Sequence, residues 1–169
     1  MKLLPFFDSI FHHKGMIYFI LGVILLFFLQ KLPFIKKWFV FLNTLQHELV
    51  HIAAAGCFGG IPVGMEVNEH GGAACTTKSN FIVRLAPYVI PLFSLLILGI
   101  SMLIKSPYRP VAFGMAGIFY GDFIVKTLCA LNIQQTDIQK SGGRLLAYPI
   151  IFVSNLLILS AIGYMARGL

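Results

Sequence analysis

Long runs of apolar residues, separated by short polar segments, dominate the pattern along the chain. A helix needs about 20 mostly apolar residues to cross a bilayer. Five runs approach or exceed this length, at about 15–31, 34–58, 83–104, 110–132 and 145–167. We expect the first run to be retained, because no small-residue cleavage site follows it. Pro87 and Pro91 predict a kink near the start of the third. The pattern predicts an all-α polytopic membrane protein with about five transmembrane helices.

The segment at about 60–80, between the second and third runs, has a different pattern. Apolar and polar residues partly alternate over 61–68, residues 69–72 offer a Gly-Gly turn, and a second short run follows. Two short runs around such a turn are typical of a β-hairpin. Open sheet edges are not tolerated against lipid, so we expect a membrane-associated β-hairpin at the interface or against the helices.

Composition agrees with a membrane protein and excludes several other classes. Of the 169 residues, 58% are hydrophobic and only 11% are charged, whereas a soluble domain carries about 25% charged residues. So few charges cannot cover a globule of this size, which excludes a water-soluble, a disordered and a nucleic-acid-binding protein. The net charge of +7 is spread over short loops, where we expect it beside lipid headgroups. We therefore expect one domain over 1–169, integral to the membrane and in contact with the lipid bilayer.

The strongest chemical signal is the H-E-x-x-H motif at 47–51. On a helix, His47 and His51 lie one turn apart on the same face, where two imidazoles can bind one zinc ion. Zinc lowers the pKa of a bound water towards about 7, and a glutamate between the ligands can take its proton. Ionisable residues inside a spanning segment are costly and mark functional sites. The motif therefore predicts one Zn²⁺ per chain and Glu48 as the general base.

A third zinc ligand must come from another segment, because a catalytic site normally has three protein ligands and one open position. The three cysteines lack metal-binding spacing, and the main candidates are Asp122 and Asp137. Asp122 lies inside the fourth run, with Lys126 one turn later as an ion-pair partner. Asp137 follows that run, and its alternative role is to cap the fifth helix. Asp137 has no charge partner in the sequence and enters from the side towards which the histidines lie, so it is favoured over Asp122.

These residues resemble the site-2 protease-like zinc metalloproteases, most closely the small B-type branch. A membrane-embedded H-E-x-x-H motif, a Gly-rich hairpin and a later aspartate near Asn132 and a Gly-Gly pair carry the resemblance, over 43–144. This sequence departs from the family's Asn-Pro-x-Asp-Gly pattern, because no proline follows Asn132 and because Ile138, not a glycine, follows Asp137. The resemblance implies cleavage of substrates within or beside the membrane. It also implies substrate contacts by strand addition along the hairpin and near the aspartate, at Ala74, Cys75, Thr76 and Asn132.

Three functional hypotheses follow, and the first is favoured. The first is an intramembrane zinc metalloendopeptidase acting on a membrane protein or peptide substrate. The second is a non-proteolytic membrane scaffold or accessory protein that retains a zinc site, although such a protein has no need for Glu48. The third is a zinc hydrolase of lipid-like substrates, which would use the same chemistry. A di-iron membrane enzyme is disfavoured, because its several histidine motifs would need more than the five histidines in the chain.

Overall fold

The computed structural model describes residues 14–68, 71–132 and 135–168. Its elements follow in chain order: α1 (Lys14–Leu29), α2 (Pro33–Cys57), β1 (Pro62–Asn68), β2 (Gly71–Thr76), α3 (Phe81–Val89), α4 (Leu92–Ser101), α5 (Arg109–Asn132), α6 (Thr136–Lys140) and α7 (Arg144–Met165). Short 3₁₀ turns at Ser106–Tyr108 and Ala166–Gly168 precede α5 and follow α7. Pro33 occupies the first turn of α2, where its missing N–H costs nothing, and the Asn80 side chain accepts a hydrogen bond from the Val83 N–H to start α3.

The mostly helical architecture and the hairpin are both confirmed. β1 and β2 pair antiparallel, from Asn68 opposite Gly71 to Pro62 opposite Thr76, with an irregularity between Pro62 and Gly64. The predicted turn residues 69 and 70 lie outside the described residues. The hairpin packs against α2 rather than standing free, as expected for a sheet that must shield its backbone.

The number of candidate membrane spans differs from the sequence prediction. Within the described ranges, α5 and α7 are long and apolar enough to cross a membrane, and up to four spans result if each of two bent helix pairs counts as one. The sequence predicts five. The difference arises at α1 and α2, which are bent by 119° relative to one another. α1 has only 16 residues, and the polar motif residues make α2 less apolar than an ordinary span.

The closest helix contact joins α1 to α5 through glycines. A Cβ atom at Gly22 would lie 1.9 Å from the Gly114 carbonyl oxygen, and one at Gly117 would lie 2.0 Å from the Phe19 carbonyl oxygen. Small residues let helix backbones approach in this way, and packing then replaces the hydrophobic effect as the source of helix association in lipid. The buried rings of Phe19 and Tyr120 lie 5.5 Å apart beside this contact. α1 and α5 are the most extensively packed pair among the described elements.

The third apolar run is broken, as its prolines predict. α3 ends at Val89, Pro91 precedes α4, and the two helices are bent by 60°. Polar side chains from distant helices satisfy the backbone groups freed at the break. The Gln46 Oε1 of α2 accepts from the Phe93 N–H at 2.9 Å, and the Asn155 Nδ2 of α7 donates to the Tyr88 carbonyl at 3.0 Å. A break in an apolar helix is tolerated when neighbouring helices supply such partners.

Candidate metal centre

Three side chains converge where α2, α3 and α6 meet. His47 and His51 lie one turn apart on α2, with ring centroids 4.8 Å apart. The Asp137 Oδ2 of α6 lies 3.4 Å from the His51 Nε2 and 3.9 Å from the His47 Nε2. One ligand atom from each of the three residues falls within 4.8 Å of the others. The structure therefore brings together the three residues that the sequence singles out, as a group that could hold a metal ion.

Proline chemistry explains how the His51 ring is oriented. Pro87 lies inside α3 and has no N–H, so the Val83 carbonyl four residues earlier lacks its usual helical donor. The His51 Nδ1 lies 2.9 Å from that carbonyl oxygen. A carbonyl only accepts, so Nδ1 must donate, and Nε2 faces Asp137, to which it donates when the ring is protonated and beside which it offers a lone pair when the ring binds a metal ion. This backbone partner fixes the tautomer that a metal ligand needs, as outer partners of metal-binding histidines generally do.

The donor set and the two spacings from Asp137 are compatible with a metal ion such as zinc. Ligand atoms bound at 2.0–2.2 Å to a tetrahedral ion are separated by roughly 3.3–3.5 Å. The 3.4 Å separation between Asp137 and His51 matches this value, and the 3.9 Å separation between Asp137 and His47 is slightly wider. Two imidazoles and one carboxylate form a three-ligand set typical of catalytic zinc, which leaves one position for water or substrate.

Asp137 is held in a charged form by its neighbours. Hydrogen bonding to His47 and then to His51 holds the pKa of the Asp137 carboxyl well below its usual range, although partial burial opposes this. The carboxylate is therefore ionised at any physiological pH. The short helix α6 is held in place by Arg84, whose guanidinium donates to the Lys140 carbonyl at 2.8 Å. Asp137 does not cap α7, because that helix begins at Arg144 with Gly143 at its cap position.

Glu48 lies between the histidines and is 6% exposed. It lines two cavities, which lie on either side of it and of Gly72 in β2. Gly72 permits this arrangement, because a Cβ atom there would lie 2.7 Å from the Thr44 Cγ2 and 3.0 Å from the Glu48 Cγ. A glycine lets β2 lie directly against the motif helix. The glutamate thus sits at the junction of two open spaces beside the metal ligands.

The two cavities have different walls. The first has a volume of about 380 Å³ and is bounded mainly by helices and by the start of β2, with His47, Tyr88 and Lys126 among its lining residues. The second has a volume of about 370 Å³ and is bounded by β2 and α3. Its lining includes three metal-centre residues and three residues for which the sequence predicts substrate contacts: Glu48, His51, Asp137, Ala74, Cys75 and Thr76. Asn132, the fourth such residue, is exposed at the end of α5 and lines neither cavity.

Asp122 lies outside this group. Its two carboxylate oxygens accept hydrogen bonds from the Gln30 Nε2 and the Asn43 Nδ2, each at 2.9 Å. Lys126, expected as its ion-pair partner, contributes only a longer-range attraction. Amides from two other segments therefore replace the neighbour on its own helix. The metal-ion group found among the described residues contains Asp137 and not Asp122.

No known protein family, curated protein or solved structure matches this chain. The site thus stands on its own geometry. Its outer residues were not evident from the sequence. Tyr88, whose ring lies 5.2 Å from that of His47, and the Val83 carbonyl reach the site only through the fold. Pro87 was the one available signal, since a proline inside a helix always frees a carbonyl.

Proposed function

We propose that this chain is a membrane-embedded zinc metallopeptidase. The observation that carries the proposal is the convergence of the His47, His51 and Asp137 ligand atoms beside Glu48, at the junction of two cavities. Three ligands with an open position and an adjacent carboxylate form the arrangement used for hydrolysis. A structural site would have a fourth protein ligand and would have no use for a carboxylate beside the open position.

In this proposal, different residues bind the metal ion, orient its ligands and transfer the proton. His47, His51 and Asp137 hold the ion, and the Val83 carbonyl keeps the His51 ring in place. When bound, zinc supplies Lewis-acid chemistry, in which it polarises a peptide carbonyl and lowers the pKa of a water molecule. The Glu48 carboxylate takes a proton from the attacking water and delivers it to the leaving nitrogen. Packing of Glu48 against β2 leaves its side chain little exposed and holds it beside the metal ligands.

The hairpin favours a peptide substrate over a lipid. β2 is paired along one edge only, to β1, and its residues Ala74, Cys75 and Thr76 line the second cavity beside Asp137. An extended peptide can add to such an edge through main-chain hydrogen bonds. A lipid chain has no backbone groups to make them. The substrate class we propose is therefore a peptide or a membrane protein segment that becomes extended at the site.

The apolar surface supports placement in a lipid bilayer as an integral, multi-pass protein. Large apolar side chains are exposed along several helices, with Phe28 60% exposed on α1, Ile100 56% exposed on α4 and Phe152 70% exposed on α7. Contiguous apolar surface on this scale needs an apolar environment. α5 and α7 have the length and composition of membrane spans. The metal centre would then lie within or beside the bilayer.

Glu48→Gln tests the proposal, because it removes the base but not the ligands. We expect the purified wild-type protein and the variant each to contain about one zinc per chain by elemental analysis. In liposomes carrying labelled single-span peptides, the wild type should release fragments and Glu48→Gln should lose that activity by at least about 100-fold. Glu66→Gln, the same change at an exposed position of β1, is the matched control and should cleave normally.

Three results would contradict the proposal. Absence of zinc in the wild-type protein would remove the metal centre. Equal cleavage by wild type and Glu48→Gln would show that the activity comes from elsewhere. Zinc without any peptide cleavage would instead favour a non-proteolytic scaffold, or a lipid hydrolase if labelled lipid esters were consumed.

A further inference from the structure

Lys126 is a charged group that the proposed chemistry does not use. It lies on α5, inside the apolar run that the composition assigns to a membrane span. Its half-buried side chain lines the first cavity together with His47 and Glu48. No carboxylate within the described ranges forms an ion pair with it. An ionisable residue placed this way is expensive in an apolar environment and calls for a functional account.

The nearest acid on the same helix does not fill that role. Asp122 lies one turn before Lys126, but its two oxygens accept hydrogen bonds from Gln30 and Asn43. Asp122 offsets the free-energy cost of burying the Lys126 charge only through a longer-range attraction. The three N–H donors of the ammonium remain for another acceptor. The cavity is where such an acceptor would be found.

The other residues that line the cavity are suited to binding an anionic ligand. Among the described residues, Glu48 is the only acidic residue that lines this cavity, and the neutral polar lining includes Asn43, Thr44, Gln46, Thr127 and Gln135. Glu48 is committed to the proton transfer beside the metal ligands. A carboxylate bound at Lys126 would gain a charge-assisted hydrogen bond in a partly dehydrated space, where such bonds are strongest.

We infer that Lys126 binds a carboxylate of the substrate in the first cavity and so selects substrates with an acidic group near the scissile bond. The inference rests on the proposed peptidase function. The cavity of about 380 Å³ equals a sphere about 9 Å across, and an extended chain advances about 3.3 Å per residue. The acidic group therefore lies within about three residues of the bond cleaved. Its source is either an Asp or Glu side chain or the free carboxylate at the end of a peptide.

The test uses matched fluorogenic peptides in liposomes containing the wild type, Lys126→Met or Lys105→Met. One arm compares Asp with Asn at each of three positions on both sides of the cleaved bond, and the other compares a free C-terminal carboxylate with its amide. We expect the wild type to prefer the acid in at least one arm by about tenfold in kcat/KM, mainly through KM, as for one charge-assisted contact. In Lys126→Met that ratio should fall to about one. Lys105→Met, an exposed lysine outside the cavity, should keep the wild-type ratio.

The outcomes separate this inference from the function on which it rests. Glu48-dependent cleavage with equal ratios in wild type and Lys126→Met would overturn the inference and leave the peptidase function intact. A preference confined to the free C-terminus would identify the source as a chain end, and one confined to the Asp arm would identify a side chain. Binding of the same peptides to Glu48→Gln, followed by fluorescence anisotropy, needs no cleavage, and equal affinity for acid and neutral peptides would also overturn the inference. Lys126→Gln, with folding checked by thermal melting, provides a second variant if Lys126→Met does not fold.

Discussion

The metal centre and the α1–α5 helix pair each contain one aspartate, and the two carboxylates differ in their exposure and in their neighbours. Asp122, at the helix pair, is 3% exposed and accepts hydrogen bonds from two amide side chains. Asp137, at the metal centre, has a side chain that is 30% exposed and faces two imidazoles. One carboxylate is locked into packing, and the other remains open to a ligand.

The difference shows that the neighbours decide what a buried acid does. Amide N–H groups bind both oxygens of Asp122, and Asp122 is not part of the metal-ion group found among the described residues. The two imidazoles near Asp137 face it through Nε2, as donors to the carboxylate when they are protonated, and the same nitrogens can bind a metal ion together with the carboxylate once those protons are lost. A buried carboxylate is therefore a metal ligand only where its neighbours are also ligands.

Asp137→Ala should have the largest effect, because it removes the aspartate that we expect to bind the metal ion. We expect zinc affinity to fall by more than about 100-fold, since loss of even an outer-shell partner costs 10–100-fold. Activity should be lost with the metal. Competition with a chelator of known zinc affinity measures the change. Asp122→Asn is the matched control and should retain zinc at wild-type affinity. If Asp122→Asn lost the metal and Asp137→Ala kept it, the ligand assignment would be reversed.

Gly117→Ala should come next and should act on stability rather than on metal binding. The added methyl would lie 2.0 Å from the Phe19 carbonyl oxygen, so α1 and α5 must separate, at a cost of about 1–3 kcal/mol. Gly114→Ala on the same helix face is the control, because its methyl would make an ordinary 3.6 Å contact with the Tyr18 carbonyl. Thermal unfolding in detergent would compare them. Equal melting temperatures would mean that the glycine contact contributes little.

Pro87→Ala should have the smallest of the three effects. An alanine restores an N–H that can bind the Val83 carbonyl within α3, in competition with the His51 Nδ1. His51 would lose part of its orientation, and we expect zinc affinity to fall by about tenfold, the lower end of outer-shell losses. Pro149→Ala, a proline inside α7, is the control for general proline effects. Unchanged zinc affinity in Pro87→Ala would show that the freed carbonyl does not matter.

The parts of the structure that depend on local spacing could be predicted from the sequence. His47 and His51 share a face because helical periodicity requires it, and Pro91 breaks the third apolar run because it has no N–H. The hairpin follows from two short runs around residues 69–72, although Gly71 and Gly72 belong to β2 itself. Asp137 was favoured because the sequence offers Asp122 a charged neighbour, and the structure keeps Asp122 out of the metal group for a related reason.

The parts that depend on contacts between distant segments could not be predicted. The i,i+4 spacing suggests that Lys126 pairs with Asp122, but Gln30 and Asn43 come from segments whose position no local rule gives. The link from Pro87 through the Val83 carbonyl to His51 joins two helices that periodicity treats separately. The sequence also counts α1 and α2 as two spans, whereas the sharp bend that makes them a possible single broken span is a tertiary feature.

The side-chain partners at the α3–α4 break determine when the site can be completed during synthesis. The motif helix and the broken helix are both made early, but the Tyr88 carbonyl receives its donor from Asn155 on the last helix. Asp137 is also made late. A ribosome-bound chain that ends before these residues therefore carries the motif without its third ligand and with an open helix break. The group of residues that could hold a metal ion is therefore complete only after Asp137 has been made.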